Sequence, residues 1–359
     1  MPLADNSAWG RFFAAPQDHA GAGAGIHANQ TVLITGAGGF IGSALAKSVA
    51  RDSARHIILL DSAEQSLFEI DATFAALFAG ITRTAVLGSV CDQSLLDSLL
   101  SRHRPDIIYH AAAFKHVPLL ESNPFAAIQN NSLGTRTLVA AASRHGVPNF
   151  VLISTDKAVN PVSMLGVSKR IAELVVVAEG NADSRMNAIR LVNVIGSPGS
   201  VVPMFQRQLL ERSSITVTHP DASRWFLTLQ ETVDAILAAG CATGRGTQGR
   251  VFVPTPGEPV KIADLAAALI SAAGSDVPIT FTGLRPGDKL CEELIGAEET
   301  KEGCVNGSLL VLRTRSPHPD ALRFCLHALS DGTAQWDRDA LARALRNLAP
   351  EYSPSGITP

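Results

Sequence analysis

The chain reads as an α/β protein: a doubly wound, mostly parallel sheet with a smaller C-terminal substrate-binding domain. Three observations predict this. Five β-branched apolar runs alternate with helical stretches between Thr31 and Thr155. A glycine-rich turn separates the first run from the first helix. After Val194 the texture changes to shorter, loop-rich units. Continuous apolar strands alternating with helices bury both faces of a parallel sheet, which fixes the class.

The elements follow in order. TVLITG, from Thr31, is a buried strand, and Ile41, Leu45 and Val49 then fall on one helical face. HIILLD, RTAVLG, DIIYHAAA and NFVLIST are further strands with helices between them. Before NFVLIST, the spacing predicts a helix capped by Asn123, with Pro124 in its first turn and Gly146 as its stop. Another helix is predicted from about Ser163 to Ala178, and RMNAIRLVNV is a sixth strand. Residues 1–30 are small, polar and Gly-rich, as expected of a flexible leader. Residues 31–195 are expected to form the sheet domain, and 196–300 a substrate domain with some segments returning to the sheet. Residues 301–359 read as a helical extension, with apolar helical spacing over 317–347.

Composition removes several classes of function. With 46% hydrophobic and 18% charged residues the chain is neither disordered nor fibrous. A net charge of −3 and 5% aromatics offer no basic, base-stacking face for nucleic acid. No uncharged apolar run approaches the roughly 18–20 residues of a membrane span. The N-terminus has no basic stretch followed by an apolar core, so no secretory signal is read there. Five cysteines without CxxC spacing argue against a disulfide framework or a zinc site, and no metal is expected. A cytoplasmic enzyme is the resulting expectation.

TGAGGFIG, from Thr35 to Gly42, sets Gly36, Gly39 and Gly42 at G-x-x-G-x-x-G spacing, with Gly38 as an extra glycine. Between a strand and a helix, such glycines make a tight turn and let a pyrophosphate approach the backbone. The N–H groups that open the helix, from Phe40 and Ile41 onward, can then receive the phosphates. This is a Rossmann-type dinucleotide loop. Asp61 closes the second strand, where a carboxylate hydrogen-bonds a ribose diol and repels a 2′-phosphate. NAD is therefore expected, with NADP as the alternative. Without a cofactor, Asp61 would read as a cap for the following helix. Ser89 and Val90, after the third strand, are candidates for the adenine end.

At HAAAFKHVPLLESNP and STDKAVNPVSMLGVSKR the chain resembles the extended short-chain dehydrogenase/reductases. Within them it is similar to the polysaccharide-biosynthesis nucleotide-sugar dehydratases, the UDP-N-acetylglucosamine 4,6-dehydratase group. The likeness continues through RLVNVIGSPGSVVPMF, ITVTHPDASRWFLT, GEPVKIADLA and GLRPGDKLCEEL, over roughly residues 31–295, and PEYSP also fits. The resemblance implies a redox-neutral lyase: C4 of the sugar is oxidised, water leaves across C5 and C6, and the hydride returns to C6. A UDP-sugar 4-epimerase shares the first step and is the nearest alternative. A silent NAD-binding scaffold is a third.

The resemblance also distributes roles. Asp156 becomes the acid for the C6 hydroxyl and Lys157 the base at C5, with Thr155 beside them; outside this motif, TDK would be ordinary polar loop. Lys169 binds the nicotinamide ribose. Four residues before it, most short-chain dehydrogenases have a tyrosine base; here the position is Leu165. Asp156, Lys169 or a water held by Thr155 are the candidates to replace it. Ala111, Ala112, Ala113 and Asn131 fall beside the cofactor, and Lys115 beside cofactor and substrate. His116 reads as structural. Asn193, Ser200, Val201, Arg224 and Arg285 are the implied substrate contacts, the two arginines as forks for a diphosphate. Ser197-Pro198-Gly199 stands where the family has Ser-Arg-Gly, and Cys291 replaces an aromatic residue. Relatives commonly self-associate, so a homo-oligomer is expected. Many relatives carry membrane helices upstream that this chain lacks, which supports the cytoplasmic expectation.

Overall fold

The run TVLIT forms β1 (Thr31–Thr35) with every residue buried. Its alternate side chains serve opposite layers: Leu33 joins one core, Val32 and Ile34 the other. The same division splits β2 (His56–Asp61), where Ile58 and Leu60 face the first core and Ile57 and Leu59 the second. Period-2 geometry thus turns an unbroken apolar run into a strand buried on both faces. The computed structural model describes residues 25–179, 184–242, 249–315 and 318–354.

Between these strands and beyond come α1 (Phe40–Arg51), α2 (Glu64–Leu77), β3 (Thr82–Leu87), α3 (Gln93–His103) and β4 (Ile107–His110). Next are α4 (Val117–Ser122), α5 (Pro124–Ala127), a π-helical turn (Ile128–Leu133) and α6 (Gly134–Arg144). Then β5 (Asn149–Thr155), a 3-10 turn (Asp156–Ala158), α7 (Met164–Glu179) and β6 (Arg185–Leu191) complete the doubly wound half. The remaining strands are β7 (Asn193–Val194), β8 (Ile215–Val217), β9 (Ser223–Arg224), β10 (Phe226–Leu227), β11 (Val251–Pro254), β12 (Val260–Lys261), β13 (Ile279–Phe281), β14 (Thr300–Val305) and β15 (Leu309–Arg313). The helices among and after them are α8 (Val201–Leu210), α9 (Leu229–Cys241), α10 (Ile262–Ala272), α11 (Pro319–Ala334) and α12 (Arg338–Leu348).

The main sheet runs β14-β15-β11-β6-β5-β4-β1-β2-β3. It is parallel from β11 to β3 and ends in an antiparallel hairpin. Strand order reverses between β1 and β4, and a crevice opens there beyond the carboxyl ends of the strands. One core packs β-sheet side chains against Leu96 of α3, Leu138 of α6, Ile171 of α7 and Leu345 of α12. The opposite one uses Leu45 of α1, Phe74 of α2 and Ile236 of α9. A third, smaller core of α8, β8 and α10, around Phe205, Ile215 and Leu265, stands apart from these two, within the stretch expected as the second domain.

Three expectations change. The helix after Asn123 is not capped by it: the Asn123 amide donates to Leu119 O at 2.8 Å, and the helix is interrupted by the π turn. Gly146, with φ +65°, does stop it. Of the expected leader, residues 1–24 lie outside the described residues. Residues 25–30 are not loose: His27 is fully buried and its Nε2 lies 2.9 Å from the Tyr109 hydroxyl. The expected helical extension opens instead with the β14–β15 hairpin. Asn306 (φ 52°) and Gly307 (φ 73°) make its turn, a pairing favoured where two central residues need positive φ.

Candidate active site

The first wall of the crevice is backbone. Gly36 has φ +64°, and a Cβ there would stand 2.7 Å from Ala112 N, so only glycine lets the loop close against the end of β4. At Gly42 a Cβ would lie 2.0 Å from Gly36 O, which brings α1 directly under the turn. The helix begins after Gly39 with no side-chain cap, so its first N–H groups, those of Phe40, Ile41 and Gly42, remain for an anion. Asp61 Oδ2 accepts from Gly38 N and Oδ1 from Ala63 N, each at 2.9 Å. The carboxylate therefore ties the loop to β2 and to the turn after it; it does not cap α2, whose N-cap is Ala63 with no side-chain cap hydrogen bond. A narrow, glycine-rich turn below an uncapped helix fits a dinucleotide pyrophosphate. Ser89 Oγ turns back to Cys91 N at 3.1 Å, and Val90 is buried beside it.

A chain of side chains sets the second wall. Ala112 N donates to Thr35 Oγ1, which donates to His110 Nδ1 at 2.7 Å. His110 Nε2 donates to Thr135 Oγ1 at 2.9 Å, and Thr135 donates to Asn131 O at 2.6 Å. Burial pushes the His110 pKa down to about 3, with the Lys169 charge adding to it, so the ring is a neutral link. Asn131 is fully buried on the π turn. Its Oδ1 accepts from Phe114 N at 2.9 Å, and its Nδ2 donates to Phe114 O at 3.0 Å and to Ser168 Oγ at 3.1 Å. It thereby holds the loop after β4, which carries Ala111, Ala112, Ala113 and Lys115, against α7. Lys115 reaches across to Pro198 O at 2.8 Å, and burial lowers its pKa. The His116 ring packs under Gly199, where a Cβ would come within 2.5 Å of it.

The 3-10 turn at the end of β5 carries the ionic group. Asp156 is fully buried. Its Oδ1 accepts from Lys157 Nζ at 2.9 Å and from Thr155 Oγ1 at 3.0 Å, whereas Oδ2 has no partner. Lys157 Nζ also donates to Asn193 Oδ1 at 3.2 Å and stands 3.6 Å from Glu292 Oε1. Burial pulls the Lys157 pKa down, but Asp156 and Glu292 together outweigh this and hold it above the usual lysine value. Lys169 sits one turn past Leu165 on α7, nearly buried, with no hydrogen-bond partner among the described residues. Burial brings its pKa down to about 8, opposed by Glu173. Leu165 itself is packed into the core and offers no proton acceptor.

Beneath the turn lies a buried charge network. Ser154 Oγ donates to Glu173 Oε1 at 2.7 Å, and Arg190 joins Glu173 at 2.8 Å to Glu299 at 2.6 Å. Paired on both sides, these groups fix α7 against the end of β5.

The residues expected to contact substrate are distributed unevenly. Asn193 joins the ionic group directly. Ser200 and Val201 open α8, and the Ser200 hydroxyl is buried without a partner. Arg285 is exposed and pairs with Asp288 at 3.0 Å. Arg224 is spent largely on the protein: it donates to the carbonyls of Ser223, Lys289 and Leu290 at 2.7–3.0 Å, and its Nε stands 3.7 Å from Glu292. The Cys291 thiol is exposed and takes a hydrogen bond from Ser223 Oγ. Glu292 is the residue that sequence reasoning missed. Nothing local in CEEL singles it out; in the structure Cys291 bridges to Ser223, and Glu292 is buried while Glu293 stays at the surface. Among the described residues no group of His, Cys, Asp and Glu is placed to hold a metal, and no helix is long and apolar enough to cross a membrane.

Comparison with known proteins agrees with this architecture. Capsular polysaccharide biosynthesis protein CapD of Staphylococcus aureus is 43% identical over 277 residues, covering 76% of this chain and 46% of that protein. The chain thus spans about half the length of that relative. A UDP-glucose 4-epimerase of Rickettsia canadensis is 32% identical, over 76% of this chain and 79% of the relative. The crystal structure of DesIV, a dTDP-glucose 4,6-dehydratase from Streptomyces venezuelae with NAD and DAU bound, shares the fold with a TM-score of 0.64 at 24% identity, over 74% of this chain and 88% of that one. The family model described as polysaccharide biosynthesis protein matches residues 32–313, and the chain belongs to that family.

Proposed function

We propose that the protein is a nucleotide-sugar 4,6-dehydratase that uses NAD and acts on UDP-N-acetylglucosamine or a related UDP-hexosamine for polysaccharide synthesis. The observation that carries this reading is the Asp156–Lys157 pair, 2.9 Å apart at the end of β5, where the crevice opens. An acid and a base side by side are what elimination needs and what epimerisation does not.

Gly36, Gly38, Gly39, the N–H groups of Phe40 to Gly42, Asp61 and Lys169 would hold the dinucleotide. When bound, the nicotinamide supplies the reversible hydride exchange that makes C4 a ketone and later reduces C6. Thr155 Oγ1 donates to Asp156 Oδ1, so a proton leaving the C4 hydroxyl has a route to a carboxylate without the tyrosine that Leu165 replaces. The 4-ketone acidifies the C5–H bond. The C4 hydroxyl proton makes Asp156 the carboxylic acid, and Lys157, once its own proton has passed to solvent, is the neutral amine. The amine takes the C5 proton. The acid gives its proton to the C6 oxygen, the C6–O bond breaks and water leaves. The ammonium and carboxylate are thereby restored, and Lys157 holds the proton that C5 needs when C6 is reduced.

Incubation with UDP-N-acetylglucosamine, followed by proton NMR of the sugar, tests this. A new C6 methyl signal is expected. The relatives bearing the epimerase name favour a second reading, in which a galacto-configured product forms and no methyl appears; that result would replace the dehydratase.

A further inference from the structure

Glu292 lies in the segment between β13 and β14, remote in sequence from the β5 turn. It is 4% exposed, with Oε1 3.6 Å from Lys157 Nζ and 3.7 Å from Arg224 Nε. Its Oε2 is buried and has no hydrogen-bond partner, as is true of Oδ2 of Asp156, the other carboxylate beside the same ammonium. A buried carboxylate oxygen without a donor is costly and uncommon, and two of them around one lysine are not explained by stability.

The segment is stapled to the turn on both sides of Glu292. Lys289 Nζ donates to Val159 O at 2.6 Å, and Asn160 Nδ2 donates to Glu293 Oε2 at 2.8 Å. Arg224, from β9 of the second domain, grips the carbonyls of Lys289 and Leu290. Lys157 therefore faces Asp156 on its own turn, Asn193 from β7, Glu292 from this segment and, further off, the Arg224 charge. Two of its N–H groups donate to Asp156 and Asn193, and the Glu292 carboxylate stands at ion-pair distance.

We propose that Glu292 is a positioning residue of the elimination: acting through Lys157, it aims Nζ and makes its amine form a stronger base toward the C5 proton. The inference rests on the dehydratase reading for its purpose, and on geometry alone for the contact. A second carboxylate beside the amine favours the charged form, so Lys157 binds the C5 proton more firmly and keeps it for return. Because the carboxylate comes from the segment that joins the second domain to the sheet, correct seating of that domain and full basicity of the base arise together.

The test measures Lys157 without any sugar. Reaction with an amine-acylating reagent across pH 7–10, followed by mass spectrometry of the Lys157 peptide, reads the neutral fraction of this partly exposed side chain. In Glu292→Gln, labelling at a given pH should rise about ten-fold, since loss of one opposite charge within 4–6 Å shifts a pKa by about one unit or more. Glu292→Asp, which withdraws the charge by one methylene, should fall between Gln and wild type, and it carries the test if the Gln variant does not fold. Labelling unchanged in a folded Gln variant, or unchanged in Asp where only that variant folds, would overturn the proposal. Methyl formation plays no part in this readout. Its absence in wild type would remove the dehydratase reading while the charge coupling stood or fell separately.

Discussion

The glycine loop after β1 and the segment from Arg285 to Glu293 both reach the crevice, but by opposite means. The loop works through backbone. It offers an anion the N–H groups that α1 leaves uncapped and the space left by the missing Cβ atoms at Gly36 and Gly42. The segment works through side chains, placing a buried carboxylate beside Lys157 and committing an arginine to backbone carbonyls. A backbone site is a local property of eight residues. A side-chain site exists only once two distant stretches have packed. The first kind fails when space or φ is violated; the second fails when charge is.

The comparison is sharpened most by Asp156→Asn, which keeps shape and removes both the acid and half of the ion pair. Loss of a positioned acid should lower methyl formation by about 10²–10⁴-fold, as a discontinuous NMR assay would show. Gly36→Ala is the counterpart in the loop. At φ +64° with backbone at 2.7 Å, an added methyl should cost about 2–4 kcal/mol in thermal unfolding and abolish NAD binding by calorimetry. Normal cofactor affinity in that variant would break the account of the first wall.

How much was legible follows the same division. The main strands and the glycine loop were readable because periodicity and glycine spacing are local. The Asp156–Lys157 pair was readable only through family likeness, since three polar residues after a strand are otherwise unremarkable. Glu292 was not readable, because its importance comes from a contact more than a hundred residues away in sequence. The β14–β15 hairpin carried a local Asn-Gly turn signal at 306–307 that the helical spacing further on obscured. The π turn had no such signal: the ties on it and just after it are tertiary, from Asn131 to Phe114 and from Thr135 to His110.

Two pH effects divide the regions further. Lys169 has a pKa lowered to about 8, so its charge is present below that pH and lost above it. NAD affinity should therefore fall about ten-fold as pH rises from 7 to 9, an effect absent in Lys169→Met, by fluorescence titration. His110 is neutral when folded, with a pKa near 3, and takes a proton readily near 6.5 when unfolded. Its contribution is full above 6.5 and is lost as pH falls toward 3, at about 1.4 kcal/mol per pH unit. Chemical denaturation of wild type and His110→Gln between pH 7 and 5 should show a shallower slope in the variant.

The central claim is that one hydrogen leaves C4 and comes back at C6 while Asp156 and Lys157 remove water between. UDP-N-acetylglucosamine deuterated at C4 reports on it directly. The account predicts a product whose C6 group is CH₂D, formed without added reductant. Deuterium restored to C4, or a methyl group that carries none, would contradict it.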